Sequence, residues 1–296
     1  MSVRSGSGRG SSSGSADLHT LTGFGSYATR TSTNANPCDS TRNRNTTAQA
    51  GQDLWVLHQL QLRCGHGTFV EFGARNGVEH SNTLYFERAL GWRGILVEAD
   101  PTQYRNLEAN RPRSWTYHGA VCTRGAGNTT RFSIAGPKNG GWSGMRETME
   151  PTRKSKMARN VDVPCYYLPD LLERHGLRRV DYLTIDTEGS ELSFVEDFPW
   201  AEWDIRVVQI EQLDELRYKA QRGREARITA HMRANGFELQ NRFVVQQRDT
   251  FDLVYVPKRD FVEALPQGGN VRSASMPFGR PATRSTSARR SYSYEK

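Results

Sequence analysis

The chain has 296 residues, enough for one sizeable domain or two small ones. Hydrophobic residues make up 36%, below the ~45–50% of a compact domain, so we expect part of the chain to stay unpacked. No segment has the ~20 consecutive apolar residues of a membrane-spanning helix, and no apolar N-terminal stretch predicts a cleaved secretory signal. The net charge of +8 arises at the ends, since residues 51–257 carry 27 basic and 27 acidic side chains. A neutral core of this kind disfavours a nucleic-acid-binding domain.

Both ends have the composition of disordered segments. Residues 1–16 contain eleven Ser or Gly, and the residues beyond 263 are rich in Ser and Arg and poor in aliphatic side chains. We therefore predict disordered tails at 1–47 and 264–296 around one domain at 48–263. An organellar transit peptide stays open for the Ser- and Arg-rich N-terminus, but its amphipathic pattern is missing, so cytoplasm is the default location.

The four cysteines, Cys38, Cys64, Cys122 and Cys165, show no close-spaced pair. This spacing disfavours a structural zinc site, which usually needs neighbouring ligands. Two interpretations remain: a disulfide between Cys122 and Cys165, or reduced cysteines in a cytosolic protein. The second is the simpler one.

The first half of the domain alternates strand and helix signals. Apolar β-rich runs predict strands over 67–72, 94–99 and, more weakly, 114–121. Asp100 followed by Pro101 has the pattern of a helix N-cap with proline at the first helical position. Residues 136–160 interrupt the alternation with a Gly-rich insertion carrying six basic and two acidic side chains, a candidate lid.

The second half continues the alternation and ends in a hairpin. Helices are predicted at 169–175, 190–197 and 224–235, parallel strands at 180–185 and 205–210, and an antiparallel pair at 237–243 and 251–256. Strands that alternate with helices predict an α/β fold around a mainly parallel sheet. In such sheets, ligands bind beyond the carboxyl ends of the strands.

Acidic side chains follow three of the predicted strands. Glu71 ends the first in FVEFGARNG, whose glycines permit a tight turn but lack the G-x-G-x-x-G spacing of a dinucleotide site. Glu98 ends the second in LVEAD, where a carboxylate can accept hydrogen bonds from ribose hydroxyls; an exposed loop carboxylate is the alternative. Asp186 and Glu188 follow the buried strand in DYLTIDTEGSE and can face one cleft; the alternative is that Glu188 and Glu191 complement a helix N-terminus.

Three segments of the chain together resemble the FkbM family of methyltransferases. They are GQDLWVL (51–57), GTFVEFGARNGVEHSNTLYFERALGWRGILVEADP (67–101) and VDYLTIDTEGSE (180–191). VPCYYLPDLL (163–172) and IRVVQIE (205–211) fit in the same order. The resemblance implies an S-adenosylmethionine-dependent enzyme with a Rossmann-like class I methyltransferase fold, a mainly parallel seven-stranded sheet and an antiparallel closing hairpin.

The resemblance also implies roles for individual residues. Glu98 would hold the ribose, and Ala120 and Val121 would border the adenine. The residues implied beside the methionine part are Glu71, Gly73, Asn76, Gly77, Ser81 and Asn82. Asp186 is the first candidate base and Glu188 the second, with His80 and His118 in reserve. No metal site is assigned, and metal assistance through Asp186, Glu188 or Glu211 is an alternative. Arg75 departs from the family by placing positive charge near a sulfonium.

A carboxylate rim made by Glu71, Glu98 and Asp186 would suit the cationic sulfonium and ammonium of S-adenosylmethionine. The sequence DTEG after the fourth strand lacks the Asp/Asn-Pro-Pro-aromatic loop of base amine methylation and favours an oxygen acceptor. We therefore expect O-methylation of a small hydroxylated acceptor, a carbohydrate or glycoconjugate; the basic insertion hints at an anionic one. The alternative is a catalytically silent protein of the same fold whose basic tails bind an acidic macromolecular surface.

Overall fold

The computed structural model describes residues 46–59, 67–136, 141–245 and 249–258. The predicted tail 264–296 lies outside these residues, as does the predicted tail 1–47 apart from residues 46 and 47. None of the described helices is long and apolar enough to cross a bilayer.

The described residues form thirteen strands and seven α-helices. The strands are β1 (Thr68–Phe72), β2 (Arg93–Glu98), β3 (Trp115–His118), β4 (Ala120–Val121), β5 (Thr129–Ala135), β6 (Gly144–Met145), β7 (Met157–Tyr166), β8 (Arg179–Val180), β9 (Tyr182–Ile185), β10 (Asp204–Ile205), β11 (Val208–Leu213), β12 (Phe237–Val245) and β13 (Thr250–Pro257). The helices are α1 (Gln52–Gln59), α2 (Leu84–Leu90), α3 (Pro101–Asn110), α4 (Pro151–Lys154), α5 (Leu168–Arg174), α6 (Glu191–Asp197) and α7 (Arg224–Ala234).

Seven of these strands form the central sheet, in the order β12-β13-β11-β9-β1-β2-β3. Six of them run parallel, and β13 is antiparallel to both of its neighbours. The predicted α/β fold with a mainly parallel seven-stranded sheet and an antiparallel closing hairpin is therefore confirmed. The strand order reverses between β1 and β9, so the ends of β1, β2 and β9 flank a crevice.

Helices cover both faces of the central sheet. Alternate residues of β1 show why: Val70 packs in the cluster with α5, α6 and α7, whereas Phe69 packs in the cluster with α1, α2 and α3. Such two-sided burial explains the continuous apolar runs of β1, β2 and β9, because each strand needs apolar side chains on both faces. Burying each large aliphatic side chain contributes roughly 1.5–3 kcal/mol to this packing.

A second, four-stranded sheet of order β4-β7-β5-β6 stands beside the crevice. The predicted strand 114–121 divides at Gly119, so β3 stays in the central sheet and β4 pairs with β7. The sequence analysis missed the antiparallel β5–β7 pair. The described part of the insertion, 141–160, forms β6, α4 and the start of β7.

A disulfide joins Cys122, just after β4, to Cys165 in β7, with their Cα atoms 5.5 Å apart. The expectation that these two cysteines are reduced is therefore wrong for this structure. Parallel pairing of β4 with β7 brings the cysteines together, although 43 positions separate them in the chain. Cys38 and Cys64 lie outside the described residues.

Candidate active site

The crevice begins at the tight turn that follows β1. The backbone N–H groups of Gly73 and Ala74 both donate to the Val97 carbonyl oxygen of β2, at 3.1 and 3.2 Å. Gly73 has φ +69°, and a Cβ atom there would overlap the carbonyl oxygen of Asp186. Glycine is therefore required, since the ends of β1 and β9 approach each other too closely for a side chain.

A pocket opens beyond the ends of β1, β2 and β9, the place where open α/β sheets bind ligands. The sequence-predicted residues Gly73, Glu98, Ala120, Val121, Asp186 and Glu188 all line it. Arg75, expected near the sulfonium, lines it as well. The lining residues that were not predicted from the sequence are Phe72, Val97, Ala99, Asp100, Gln103, Gly119, Phe132, Gly141, Ser143, Met145, Thr187 and Ser190. Several of these come from the insertion and the second sheet, for which periodicity provided no signal.

Glu98 is the buried acceptor at the end of β2. Its carboxylate accepts hydrogen bonds from the backbone N–H groups of Arg75, at 2.7 Å, and Asp100, at 2.6 Å. Burial raises the pKa of Glu98 to about 7, although these two hydrogen bonds act against the rise. The exposed-loop alternative is thereby removed, because the side chain is only 5% exposed.

A second pocket, of about 410 Å³, adjoins the first and shares Gly73, Asp186 and Glu188 with it. The predicted residues Glu71, His80, Ser81 and Asn82 line it. Gln49, from the segment before α1, closes one side, and no sequence motif pointed to this residue.

Glu71 does not form a free acidic rim, which corrects one expectation. Its carboxylate accepts hydrogen bonds from the Ser81 hydroxyl at 2.9 Å, the Asn82 backbone N–H at 2.8 Å and the Thr83 hydroxyl at 2.6 Å. Arg111 Nη1 lies 4.0 Å from it. Glu71 therefore fixes the start of α2, and burial raises its pKa despite these partners.

Asn76 and Gly77 also differ from the prediction, since neither lines the two pockets. The Asn76 side chain accepts hydrogen bonds from the backbone N–H groups of Val78 and Glu79, at 3.0 and 2.9 Å. Gly77 faces Leu107 and Arg111 of the α3 region, where a Cβ would be too close to both. Both residues therefore stabilise the loop after β1 and do not line either pocket.

Three carboxyl groups meet at the methyl-transfer end implied by the resemblance. Asp186, Glu188 and Glu211 each offer an oxygen within 4.8 Å of the others. The contact between Asp186 and Glu211 lowers the pKa of Asp186 and raises that of Glu211, so Asp186 is the more readily ionised of the two. Burial is the largest cause of both shifts and brings the pKa of Asp186 to about 6, within range for a general base.

Glu188 forms a buried ion pair with Arg153 of the insertion. Trp142 and Tyr218 flank the guanidinium, with ring centroids 4.8 and 5.0 Å from its Cζ atom. Burial raises the pKa of Glu188 to about 8, although Arg153 acts to lower it. The alternative role, a carboxylate at a helix N-terminus, fits Glu191 rather than Glu188. Glu191 begins α6, and its carboxylate accepts hydrogen bonds from the backbone N–H groups of Thr187 and Gly189 at 3.0 and 2.9 Å.

His80 lies in the second pocket but is held by its neighbours. Arg75 Nη1 is 3.0 Å from His80 Nδ1, and Gln49 Nε2 is 3.1 Å from the same atom. Burial and the Arg75 charge lower the pKa of His80, so its neutral ring accepts from Arg75. This arrangement favours a positioning role over the predicted role as a base.

The family model described as "Methyltransferase FkbM domain" matches residues 71–239, more than half of the chain. The chain belongs to the FkbM methyltransferase family. It is therefore an S-adenosylmethionine-dependent methyltransferase with the class I fold that its strand order already showed.

Solved structures were also compared with this FkbM protein. A fibrillarin from Aeropyrum pernix with bound S-adenosylmethionine is 13% identical, with 69% of this chain and 74% of that chain covered and a TM-score of 0.38. The human methyltransferase 10 domain containing protein is 12% identical, with 69% of this chain and 79% of that chain covered and a TM-score of 0.41. A TehB-like methyltransferase from Corynebacterium glutamicum is 11% identical, with 70% of this chain and 88% of that chain covered and a TM-score of 0.34. These likenesses are weak, so the family assignment rests on the family match. No curated protein matches the chain.

The residues of this FkbM protein fit S-adenosylmethionine by their chemistry. Glu98 would offer its carboxyl oxygens to a ribose diol, and the apolar Ala120, Val121 and Phe132 would suit an adenine ring. Asp186, whose backbone carbonyl oxygen lies against Gly73, would provide negative charge for a sulfonium. When bound, the cofactor supplies an electrophilic methyl group.

Proposed function

We propose that the protein transfers a methyl group from S-adenosylmethionine to a hydroxyl of a small acceptor, a carbohydrate or glycoconjugate. The observation that supports this proposal is the Asp186–Glu211 carboxyl pair, in which Asp186 lines both pockets. A hydroxyl has a high pKa, so its proton must pass to a base as the new bond to carbon forms.

In this proposal Asp186 accepts that proton. Glu211 holds its proton more tightly than Asp186, so Asp186 is ionised near neutral pH although its surroundings are buried. Glu188 is a weaker candidate because Arg153 already occupies its carboxylate. In this arrangement Glu98 binds the ribose in the first pocket, and Asp186 lines both pockets.

Arg153 of the insertion is held inside the site, where it is 1% exposed and paired with Glu188. Arg131, beside the insertion, is likewise paired, with Asp162 at 3.1 Å. The other cations of the described part of the insertion, Arg146, Lys154, Lys156 and Arg159, form no ion pair with a described residue. The insertion therefore keeps positive charge for an anionic acceptor, although Arg153 is already paired.

Titration calorimetry with S-adenosylmethionine tests the cofactor part of this proposal. Glu98→Ala should weaken binding by about 10- to 100-fold, since it removes hydrogen bonds to a charged acceptor. Glu108→Ala on α3, an exposed carboxylate, is the matched control and should bind like the wild type. Lack of binding by the wild-type protein would refute the proposed function.

The acceptor part is tested by transfer of labelled methyl groups. Wild-type protein and labelled S-adenosylmethionine are incubated with an extract, and the labelled product is digested and identified. A methyl ether on a sugar supports the proposal. Label on a nitrogen or on a nucleic acid would contradict it.

A further inference from the structure

Arg75 occupies an unusual place in the turn after β1. Its backbone is left-handed, with φ +49°, and its N–H is held by Glu98 at 2.7 Å. Its side chain lines both pockets, and among the described residues it is the only Lys or Arg that does so. A single positive charge therefore faces the junction of the ribose and methionine regions.

The guanidinium of Arg75 is held but not fully satisfied. Nη1 lies 3.0 Å from His80 Nδ1, and Nη2 lies 3.9 Å from a carboxylate oxygen of Glu79. Nε is buried and has no hydrogen-bond partner among the described residues. Nε is closed off from solvent, so the Nη groups of this side chain, which is 30% exposed, are the donors that can reach a ligand in the pocket.

The remaining lining residues of the second pocket show which ligand group would suit Arg75. Glu79 and Asp186 line this pocket beside Arg75 and disfavour an anion except next to the guanidinium. S-adenosylmethionine nevertheless carries one anionic group, the carboxylate of its methionine part. Carboxylates prefer the planar N–H donors of arginine.

We propose that Arg75 binds the methionine carboxylate of S-adenosylmethionine, oriented by His80. This inference rests on the cofactor pocket of the proposed function and adds a binding residue to it. Arg75 then strengthens cofactor binding, contrary to the expectation that its charge would oppose the sulfonium. His80 contributes by accepting a hydrogen bond from Nη1, which holds the guanidinium at the pocket.

Calorimetry with two ligands isolates the carboxylate. S-adenosylmethionine and its decarboxylated analogue differ in that group and share the sulfonium, amine and adenosine. The wild type should bind the analogue at least about ten-fold more weakly. Arg75→Met should weaken the binding of S-adenosylmethionine by a similar factor, and it should change the binding of the analogue less than about three-fold. The affinity of Arg75→Lys for S-adenosylmethionine should lie between those of Arg75→Met and the wild type. Arg88→Met, at an exposed position of α2, is the control and should bind both ligands like the wild type.

Each outcome decides the inference. Equal affinity of the wild type for the two ligands would overturn it even if Arg75→Met failed to fold. Equal weakening of both ligands by Arg75→Met would show that Arg75 only supports the turn, and would leave the proposed function standing. Binding of neither ligand by the wild type would instead refute the proposed function, and this inference with it.

Discussion

Crowded carboxyl groups control the site at the residue scale. Asp186, Glu188 and Glu211 lie close together, with Arg153 as the cation paired with one of them. Negative charges at this spacing repel, so the three groups do not all ionise near neutral pH. Burial raises the pKa of Glu188 to about 8 and raises that of Glu211 as well, whereas that of Asp186 rises only to about 6, so Asp186 is the first of the three to lose its proton.

Asp186→Asn should reduce methyl transfer by at least about 100-fold, because an amide cannot accept the hydroxyl proton. Cofactor affinity should fall much less, since Asn keeps the size of the side chain. Single-turnover transfer and calorimetry separate the two effects, and the exposed Asp170→Asn is the control. A variant with an unchanged transfer rate would show that Asp186 is not the base.

The pH dependence of transfer should report the same group. The base must be unprotonated, so the rate should rise with pH and level off above an apparent pKa of about 6. Glu211→Leu removes the hydrogen bond that lowers the pKa of Asp186, and should shift this limb to higher pH. Glu211→Gln keeps an N–H donor and should shift it little. Identical profiles for the two variants would contradict this role of Glu211.

At the element scale, the insertion is attached to the loop after β9. Arg153 follows the cap of α4, where the Glu150 carboxylate accepts from the backbone N–H groups of Thr152 and Arg153 at 2.7 and 3.2 Å. Gly189 lies so close to the Thr148 carbonyl oxygen that a Cβ there would be 2.8 Å away. The insertion thereby becomes one wall of the cofactor pocket.

Arg153→Met should destabilise the protein by about 3–5 kcal/mol at pH 9, because it leaves the buried Glu188 charge unpaired. The loss should be smaller at pH 6, where Glu188 can hold a proton, since its pKa is already raised to about 8. Adding Glu188→Gln should recover part of the loss and remove its pH dependence. Urea unfolding of the four proteins of this cycle measures the coupling, and a loss independent of pH would contradict the assignment.

The disulfide between β4 and β7 stabilises the second sheet. Replacing both Cys122 and Cys165 by Ser should lower the unfolding free energy by about 4 kcal/mol, since the link closes a loop of 43 positions. Urea unfolding of the oxidised wild type and the double variant measures this difference. Equal midpoints would mean that the two cysteines are not linked in solution.

Across the whole molecule, raised carboxyl pKa values determine how stability depends on pH. The pKa is raised to about 7 in Glu98 and Asp252 and to about 8 in Glu188, in each case chiefly by burial. The unfolded chain releases these protons near pH 4–4.5, whereas the folded protein retains them until pH 7–8. The folded state therefore binds more protons in this interval, and the unfolding free energy must fall as pH rises through it.

We expect the ligand-free protein to lose stability between pH 5.5 and 8.5, by up to about 1.4 kcal/mol per pH unit for each retained proton. Urea unfolding at several pH values measures this slope. The Glu98→Gln variant should show a shallower slope, because one of the three groups no longer titrates. Stability that rises over this range would contradict the burial of these groups.

Much of the fold could be predicted from the sequence, because strands buried on both faces require continuous apolar runs. β1, β2 and β9 were recognised in this way, and the cap at Asp100 was recognised by residue type. β5 and the first half of β7 were missed, since they mix Thr, Ser, Arg and Asn with few apolar residues. Their pairing comes from long-range hydrogen bonds that local composition does not encode.

For the site, the order of motifs along the chain determined the family, the sheet and the positions of Gly73, Glu98 and Asp186, because parallel strands bring their carboxyl ends to one edge. Tertiary structure decided how the charges are paired. It directed Glu71 to the start of α2, Arg153 to Glu188 and Arg75 to the junction of the two pockets. Side chains so far apart in the chain find their partners only through the folded backbone, and burial then determines which of them keep a proton.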